Sequence, residues 1–417
     1  MMLSGIRRSF NNIFSTNFRK NLLILTSGNA AVQILGILSY PILTRLYPDE
    51  VFGQYALFNS VIILVGFAIT LRYEMAIPLP KKDSEAQQLK LSTITTAAVI
   101  AMLLFLFALG IEFLELYPQL SPFIYFIPLV SFVTSLLQIN RYWHLRINKL
   151  GRFFKVFIGY RLMYVILAIS LSFFWDFQNG LIVSIITSSG IVLIIILVAF
   201  PIQGFTHMNW DNSVSILKEY YRFPRFSLPS FLLAHASNQI PIFLLIYFFD
   251  QSITGQYSVA FNLLWLPQNM IFLRISESLY QSGINLNKQE IRQLIFRLWK
   301  FLVPIMAIVC LTLMTYGESL FGLLFGQEWR LSGRIAQLFS LLMFFSVFYT
   351  PISSLINVFN LQHITLRLTL LRFLVIIGAF TVAGLSDNLF LAIWIMVIIG
   401  SLSNLFLSHT LLKALKK

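Results

Sequence analysis

Residues 180–200 read GLIVSIITSSGIVLIIILVAF, a stretch of 21 residues without a charged side chain. A helix rises about 1.5 Å per residue, so a stretch of this length can cross the roughly 30 Å hydrocarbon core of a membrane. Similar apolar stretches recur along the chain, and none alternates with the period of two that a barrel strand shows. Because backbone polar groups must be paired within the membrane, these stretches are expected to be helices. The sequence therefore predicts an all-α integral membrane protein.

The composition leaves little room for a large water-soluble domain. Of 417 residues, 58% are hydrophobic and 11% are charged, whereas a soluble domain carries about 25% charged residues. The apolar stretches predict twelve spanning helices, at residues 22–44, 55–79, 91–114, 122–140, 156–175, 180–200, 226–249, 257–280, 297–320, 335–359, 364–384 and 389–412.

The formal net charge of +14 is distributed unevenly between the connectors. With the N-terminus inside, 25 of the 30 Lys and Arg residues fall on the cytoplasmic side, a count that includes Arg161 and Arg372. Only Arg45, Arg330 and Arg334 fall opposite, and Arg72 and Arg274 are left inside helices. Lys and Arg of membrane proteins concentrate in cytoplasmic loops. We therefore expect both termini in the cytoplasm, membrane lipids around the chain, and no nucleic-acid partner.

The chain contains an internal repeat. Gly53-Gln54-Tyr55 recurs 202 residues later as Gly255-Gln256-Tyr257, and the same offset relates Leu71-Arg72 to Leu273-Arg274. Two matches in register indicate duplication of a six-helix block, which predicts two lobes related by a pseudo-twofold axis along the membrane normal. The predicted boundaries are an N-terminal lobe at 1–200, a cytoplasmic linker at 201–223 and a C-terminal lobe at 224–417.

No catalytic motif or metal-spaced cluster is present, so neither an enzyme, a cofactor nor a metal is predicted. The first predicted helix instead carries Asn29, Gln33, Gly36 and Tyr40 on one face, and the seventh carries Asn238 and Gln239. Small and polar side chains on one helix face favour either close packing with hydrogen bonds between helices or the lining of a water-filled cavity. Both interpretations stay open from the sequence.

Arg72 and Arg274 are each 17 residues after the repeated tyrosine, which predicts equal depths in two equivalent helices. A cation within the membrane costs about 2.5–3.5 kcal/mol on insertion scales, so the pair indicates either an anionic ligand or snorkelling to the inner interface. Glu74 is two residues from Arg72 and is not expected to share its helix face. Glu277 is three residues from Arg274, so these two side chains are expected to pair.

The motifs resemble those of a known family. Residues 41–45 (PILTR), 52–55 (FGQY) and 72–80 (RYEMAIPLP) are similar to the start of bacterial O-antigen flippases, which are Wzx-type members of the MATE-like MOP exporter superfamily. The resemblance continues at residues 223–224, 255–257 and 267. It implies transport of an undecaprenyl-pyrophosphate-linked oligosaccharide across the bacterial inner membrane by alternating access. It also implies a cationic cavity between the lobes.

In that setting the expected substrate-binding residues are Arg72, Arg274, Asn29, Gln33, Asn238 and Gln239, and the candidate ion-coupling residues are Glu74 and Glu277. Other polysaccharide assembly proteins are expected as partners. Two alternatives compete with the flippase. A multidrug–cation antiporter of the same superfamily is expected to carry a carboxylate deep in a span, and a membrane polysaccharide polymerase is expected to need a large outer loop.

Overall fold

The computed structural model describes residues 16–113, 123–174, 179–200, 210–283, 287–359 and 361–415. Twelve long helices run through this part of the chain, and ten helical stretches within it are long and apolar enough to cross a membrane. The twelve are α1 (Thr16–Leu46), α2 (Asp49–Ala68), α3 (Asp83–Phe113), α4 (Phe126–Arg146), α5 (Leu150–Phe174), α6 (Gly180–Ala199), α7 (Leu228–Phe248), α8 (Gln251–Gly283), α9 (Lys288–Phe325), α10 (Arg330–Ser346), α11 (Gln362–Leu385) and α12 (Leu389–Ala414). The predicted all-α membrane fold is confirmed.

The helices form two six-helix lobes, α1–α6 and α7–α12. Within the first lobe α5 packs against α1 and α6, and α4 packs against α2 and α3. Within the second lobe α9 packs against α10, and α11 packs against α7 and α12. The lobes meet chiefly where α2 packs along α8 and α7. We call the two ends of this bundle the Asp49 end and the Lys82 end, after the residues that lie there.

The second span is shorter than predicted. Helix α2 ends at Ala68 rather than near residue 79, and Leu71 and Arg72 adopt left-handed φ angles of 50° and 65°. A short 3-10 helix follows at Tyr73–Ala76. Further on, Pro78 and Pro80 cannot supply the N–H groups that a continuing helix needs. The prediction that Arg72 and Arg274 occupy equivalent helical positions is therefore wrong, because Arg72 lies in a bend whereas Arg274 lies within α8.

The tenth span is interrupted near the Lys82 end, where a single helix was predicted as far as residue 359. Helix α10 ends at Ser346, and a 3-10 turn at Thr350–Ile352 and a one-turn helix at Leu355–Val358 follow. Pro351 lies in this 3-10 turn, where its missing N–H and its ring disfavour a continuous α-helix. This irregular segment packs against α8, and Tyr349 lies at its start.

The connection between the lobes contains a short amphipathic helix, Trp210–Glu219, which we call the linker helix. It packs on α3 with Ile216 buried, and the Tyr73 hydroxyl donates a hydrogen bond to the Leu217 carbonyl at 3.1 Å. The linker helix is thus held against the first lobe beside the Arg72 bend. Residues 201–209 of the predicted linker lie outside the described residues.

Candidate functional site

The lobes approach most closely at the Asp49 end, through the two repeated glycines. A Cβ atom on Gly53 would overlap the backbone carbonyl of Gln251, and a Cβ atom on Gly255 would overlap that of Asp49. The 202-residue offset of the repeat relates Gly53 to Gly255 and Asp49 to Gln251, so the two contacts are equivalent. The repeated glycines therefore let α2 and α8 touch backbone to backbone, as a pseudo-twofold axis between the lobes requires.

Side chains around these glycines form hydrogen bonds between the lobes. The Asp49 carboxylate accepts from the Ser252 hydroxyl at 2.6 Å and from the Gln256 amide at 2.7 Å. On the related side, the Gln54 amide donates to the Gln251 amide oxygen at 2.8 Å. The Asp49 end is closed by this network, which we call the outer contact, together with the glycine approach.

Arg161 lies within the membrane-spanning part of the first lobe, although the sequence placed it beside a cytoplasmic loop. It is 11 residues after Leu150 and 13 residues before Phe174 in α5, so at about 1.5 Å per residue it is roughly 16–20 Å from either end. Its guanidinium carbon is 5.1 Å from the centre of the Tyr164 ring. A guanidinium at this depth is too far from either end to be a loop charge.

The side chains around Arg161 are mostly tyrosines. Tyr40, Tyr55 and Tyr160 interact with it electrostatically in addition to Tyr164. The rings of Tyr55 and Tyr164 are stacked with their centres 6.0 Å apart. These residues come from α1, α2 and α5, and together with Arg161 we call them the tyrosine–arginine cluster. The cluster combines one cation with aromatic faces and hydroxyl groups.

Residues of the predicted polar face of α1 and of the opposite lobe meet this cluster. A Cβ atom on Gly36 would be 3.7 Å from an Arg161 guanidinium nitrogen, an ordinary contact distance, so the arginine lies beside α1 at this residue. The side chain of Tyr40 lies near that of Asn262 in α8. The tyrosine–arginine cluster therefore lies at the interface between the lobes.

No carboxylate among the described residues forms an ion pair with Arg161. A cation inside a membrane costs at least about 2.5–3.5 kcal/mol and is normally paired or placed in a water-filled space. Tyrosine rings and hydroxyls stabilise a guanidinium but leave its positive charge in place. The site can therefore attract an anion, and a guanidinium suits phosphate oxygens because it can donate two parallel hydrogen bonds.

The other predicted polar residues have mixed environments. The Gln33 side-chain oxygen is buried without a hydrogen-bond partner among the described residues. Gln239 accepts a hydrogen bond from Ser60 of the first lobe at 2.8 Å, which is a packing contact between α7 and α2. Asn238 is half-buried, and the side chain of Asn29 lies outside the described residues. The structure therefore brings Gly36 and Tyr40 to Arg161 and places Gln239 in helix packing.

Arg72 is neutralised by a neighbour. Its guanidinium is 3.0 Å from the Glu74 carboxylate, whose side chain is only 1% exposed. The expectation that these residues face apart is wrong, because the chain is not α-helical here. The Glu74 carboxylate also accepts from Thr70 at 2.6 Å. Burial raises the pKa of Glu74, whereas the Thr70 hydrogen bond and the Arg72 charge favour the ionised form.

Arg72 also contacts the second lobe. Its guanidinium carbon is 4.5 Å from the centre of the Phe231 ring in α7, and the His235 ring lies 4.0 Å from that of Phe231. A cation over an aromatic face contributes about 0.5–2 kcal/mol. Arg72 thus joins the lobes near the Lys82 end, in a geometry that its position in the sequence did not predict.

Arg274 pairs with Glu277 as predicted, with 2.6 Å between the guanidinium and the carboxylate. Their side chains are 31% and 54% exposed, and exposed pairs contribute less than about 1 kcal/mol. Arg72 and Arg274, the two arginines that the repeat relates, are therefore both paired with a carboxylate. The unpaired Arg161 was missed, although its place five residues inside the predicted span 156–175 was a signal for a buried cation.

Comparison with known proteins supports the fold. Residues 42–333 match a family model described as polysaccharide biosynthesis protein, and a comparison with curated protein sequences finds no match. The chain is similar in structure to lipid II flippase MurJ in an inward closed conformation, with a TM-score of 0.71 and 13% identity. That similarity covers 94% of this chain and 89% of MurJ.

Multidrug resistance MATE family transporters of the MOP superfamily also have this fold. An inward-facing conformation gives a TM-score of 0.68 at 15% identity, covering 92% of this chain and 95% of the transporter. An outward-facing conformation gives 0.52 at 15% identity, covering 95% and 96%. The predicted MATE-like arrangement of two six-helix lobes is confirmed.

Proposed function

Because this chain belongs to the polysaccharide biosynthesis protein family and has the fold of MOP-superfamily transporters, we propose that it is a lipid-linked oligosaccharide flippase. In this proposal it moves an undecaprenyl-pyrophosphate-linked repeat unit across the bacterial inner membrane. The observation that supports it best is Arg161, a cation without a carboxylate partner among the described residues, placed between the lobes at mid-membrane depth. We assign the pyrophosphate to this guanidinium.

The tyrosine–arginine cluster suits the part of such a cargo where pyrophosphate joins sugar. Arg161 supplies the charge, and its planar guanidinium matches phosphate oxygens better than a lysine ammonium does. Tyr40 and Tyr55 are half-buried and supply hydroxyl groups and ring faces next to that charge. The opposite lobe reaches the cluster through Asn262, so a bound headgroup contacts both lobes.

We place the Lys82 end in the cytoplasm. Arg161 and Arg372 lie within helices and no longer count as loop charges, but the other cations assigned to that side still outnumber Arg45, Arg330 and Arg334 severalfold. The positive-inside rule then places both termini inside. In this orientation the cell potential assists export, because an anion moving outward gains about 2.3 kcal/mol per charge per 100 mV.

The outer contact supports alternating access. With the Asp49 end closed, cargo enters from the Lys82 end. Opening the outer face requires α2 and α8 to separate at Gly53 and Gly255. The bonds lost in that step are a few hydrogen bonds between half-buried or buried polar side chains, each contributing about 0.5–1.5 kcal/mol.

The charge of the site argues against a cation antiporter. Glu74 is the only buried carboxylate among the described residues, and it is paired with Arg72. A polymerase is disfavoured by the connectors at the Asp49 end, which are only a few residues long between α1 and α2, between α7 and α8, and between α11 and α12. Binding by Arg72, Arg274, Asn29, Gln33, Asn238 and Gln239, and ion coupling by Glu74 and Glu277, stay predictions.

The proposal is tested in cells that lack the gene and depend on it for surface glycan. Arg161→Gln is expected to reduce surface polysaccharide per molecule of membrane protein at least tenfold and to accumulate lipid-linked repeat units on the inner leaflet. Lys155→Gln is the matched control, because Lys155 is an exposed cation on the same helix. Full export by the Arg161→Gln protein would remove this residue from the cargo site.

A further inference from the structure

A second half-buried arginine lies at the corresponding position of the other lobe. Arg372 is 13 residues before the last residue of α11, Leu385, just as Arg161 is 13 residues before the last residue of α5, Phe174. The helices α5 and α11 are each the fifth of their lobe. The two guanidiniums are therefore at matching depths, which the sequence comparison missed because the 202-residue offset of the repeat does not hold in this part of the chain.

Arg372 is unpaired among the described residues. No carboxylate there forms an ion pair with it, and its Nε atom is fully buried without a hydrogen-bond acceptor. A buried donor without a partner is destabilising, and more so when it is charged. Native structures rarely leave such a group unsatisfied unless water, an ion or a ligand completes it.

The surroundings of Arg372 contain further polar groups. Tyr349, at the interruption of α10, interacts with both Thr365 and Arg372. An arginine side chain can only donate hydrogen bonds. Donors without acceptors call for an oxygen-rich anion rather than a cation or an apolar group.

We propose that Arg372 and Tyr349 form a second anion site, separate from the Arg161 cluster and specific for phosphate groups. The two sites are separate because Arg161 is surrounded by α1, α2, α5 and α8, whereas the polar groups near Arg372 come from α11 and from the irregular segment that follows α10. The phosphate can belong to the pyrophosphate of a cargo lipid or to the headgroup of an anionic phospholipid. The site rests on the proposed function only in the first case.

The test is a binding stoichiometry with the full-length protein in nanodiscs of zwitterionic lipid, titrated with geranyl pyrophosphate in a calorimeter. Wild type is expected to bind two equivalents, and Arg372→Gln and Arg161→Gln one each. Arg372→Lys is expected to bind two equivalents of geranyl pyrophosphate, with a weaker affinity at the substituted site. Arg367→Gln is the matched control, since Arg367 is an exposed cation on the same helix, and it is expected to bind two.

Nanodiscs that contain phosphatidylglycerol distinguish the two sources of phosphate. If a phospholipid headgroup occupies the Arg372 site, wild type in these discs binds one equivalent of geranyl pyrophosphate; if the site takes cargo, it still binds two. The second site is overturned if wild type in zwitterionic discs binds only one equivalent of geranyl pyrophosphate, and if Arg161→Gln loses that binding whereas Arg372→Gln keeps it. That result leaves the proposed function intact. Absence of binding to wild type overturns both.

Discussion

At the scale of single residues, pairing separates the interior arginines into two groups. Arg72 has a carboxylate at 3.0 Å and an aromatic ring beneath it, and Arg274 has a carboxylate at 2.6 Å. Neither Arg161 nor Arg372 has a carboxylate partner among the described residues. Because an uncompensated cation is costly in the membrane, the unpaired arginines are the better candidates for binding, and the paired ones for holding the structure.

This distinction predicts different effects at Arg72 and Arg161. Arg72→Gln leaves Glu74 buried without its partner, and breaking a buried pair costs roughly 3–5 kcal/mol, so we expect a lower Tm and less protein in the membrane. Transport per molecule is expected to fall less than threefold. Thermal denaturation in detergent and surface glycan normalised to protein measure the two effects, with Arg161→Gln as the comparison. A tenfold loss of transport per molecule at unchanged Tm would instead make Arg72 a ligand.

The sequence predicted cations within spanning helices but not which arginines lack a carboxylate partner. Arg72 and Arg274 were singled out, and Arg161 was counted with the loops because the fifth span was predicted to begin at residue 156, whereas α5 begins at Leu150. The extra helical turns place Arg161 deeper. Arg72 was predicted inside a helix because residue type alone does not show that Leu71 and Arg72 adopt left-handed φ angles; only Pro78 and Pro80 pointed to a bend.

At the scale of helices, the internal repeat is explained by contact between the lobes. Gly53 and Gly255 meet the backbone of the opposite helix, and Gln54 and Gln256 form the hydrogen bonds beside them. The repeated tyrosines have diverged, because Tyr55 lies in the tyrosine–arginine cluster whereas Tyr257 is fully buried in the core. The sequence revealed the duplication but not that its motif closes one end of the bundle.

Gly53→Ala is expected to destabilise the outer contact. The added methyl group overlaps the Gln251 carbonyl, and overpacking of this kind typically costs 1–3 kcal/mol. With Cys310 replaced by Ser, an Asn262→Cys side chain should then react faster with an impermeant maleimide added outside the cell. Gly190→Ala is the control, since nothing lies within 4 Å of a Cβ atom there. Equal labelling rates in both variants would show that this approach does not hold the outer face closed.

Cross-linking across the same contact is expected to block transport. The Gln54 and Gln251 side chains are hydrogen-bonded at 2.8 Å, so Gln54→Cys with Gln251→Cys, again with Cys310 replaced, should form a disulfide under mild oxidant. Surface glycan should fall at least tenfold and recover with a reductant, while Gln251→Cys alone should be unaffected. Normal export by the cross-linked protein would mean that the lobes need not separate there.

At the scale of the whole molecule, hydropathy predicted most of the helices that the structure contains. All twelve predicted spans overlap the long helices of the structure, and the two-lobe arrangement follows from the repeat. The interruption of α10 after Ser346 and the docking of the linker helix on the first lobe were not predicted, because both depend on tertiary contacts. The linker helix joins the lobes beside the Arg72 bend and therefore limits how far they can move apart at the Lys82 end.

The orientation of the bundle is tested by reporter fusions. We expect cytoplasmic signals at Lys82, Lys149, Asn212, Lys288 and Lys417, and periplasmic signals at Asp49, Tyr117, Asp250, Gln327 and Asp387. The physical reason is the excess of Lys and Arg at the Lys82 end. Each position is fused to alkaline phosphatase, which is active in the periplasm, and separately to green fluorescent protein, which fluoresces in the cytoplasm. A reversed pattern would invert the proposed direction of transport.

The central claim is that Arg161 holds the anionic headgroup while the cargo crosses the membrane. Its most direct test is the initial rate at which purified protein in proteoliposomes flips a short-chain prenyl-pyrophosphate-linked sugar, with a potassium gradient setting the membrane potential. Wild type is expected to flip the lipid faster when the Lys82 side is negative. Arg161→Lys is expected to retain part of the wild-type rate, and the rate of Arg161→Gln is expected to be at least tenfold lower at unchanged Tm. Flipping by Arg161→Gln at the wild-type rate would contradict the account.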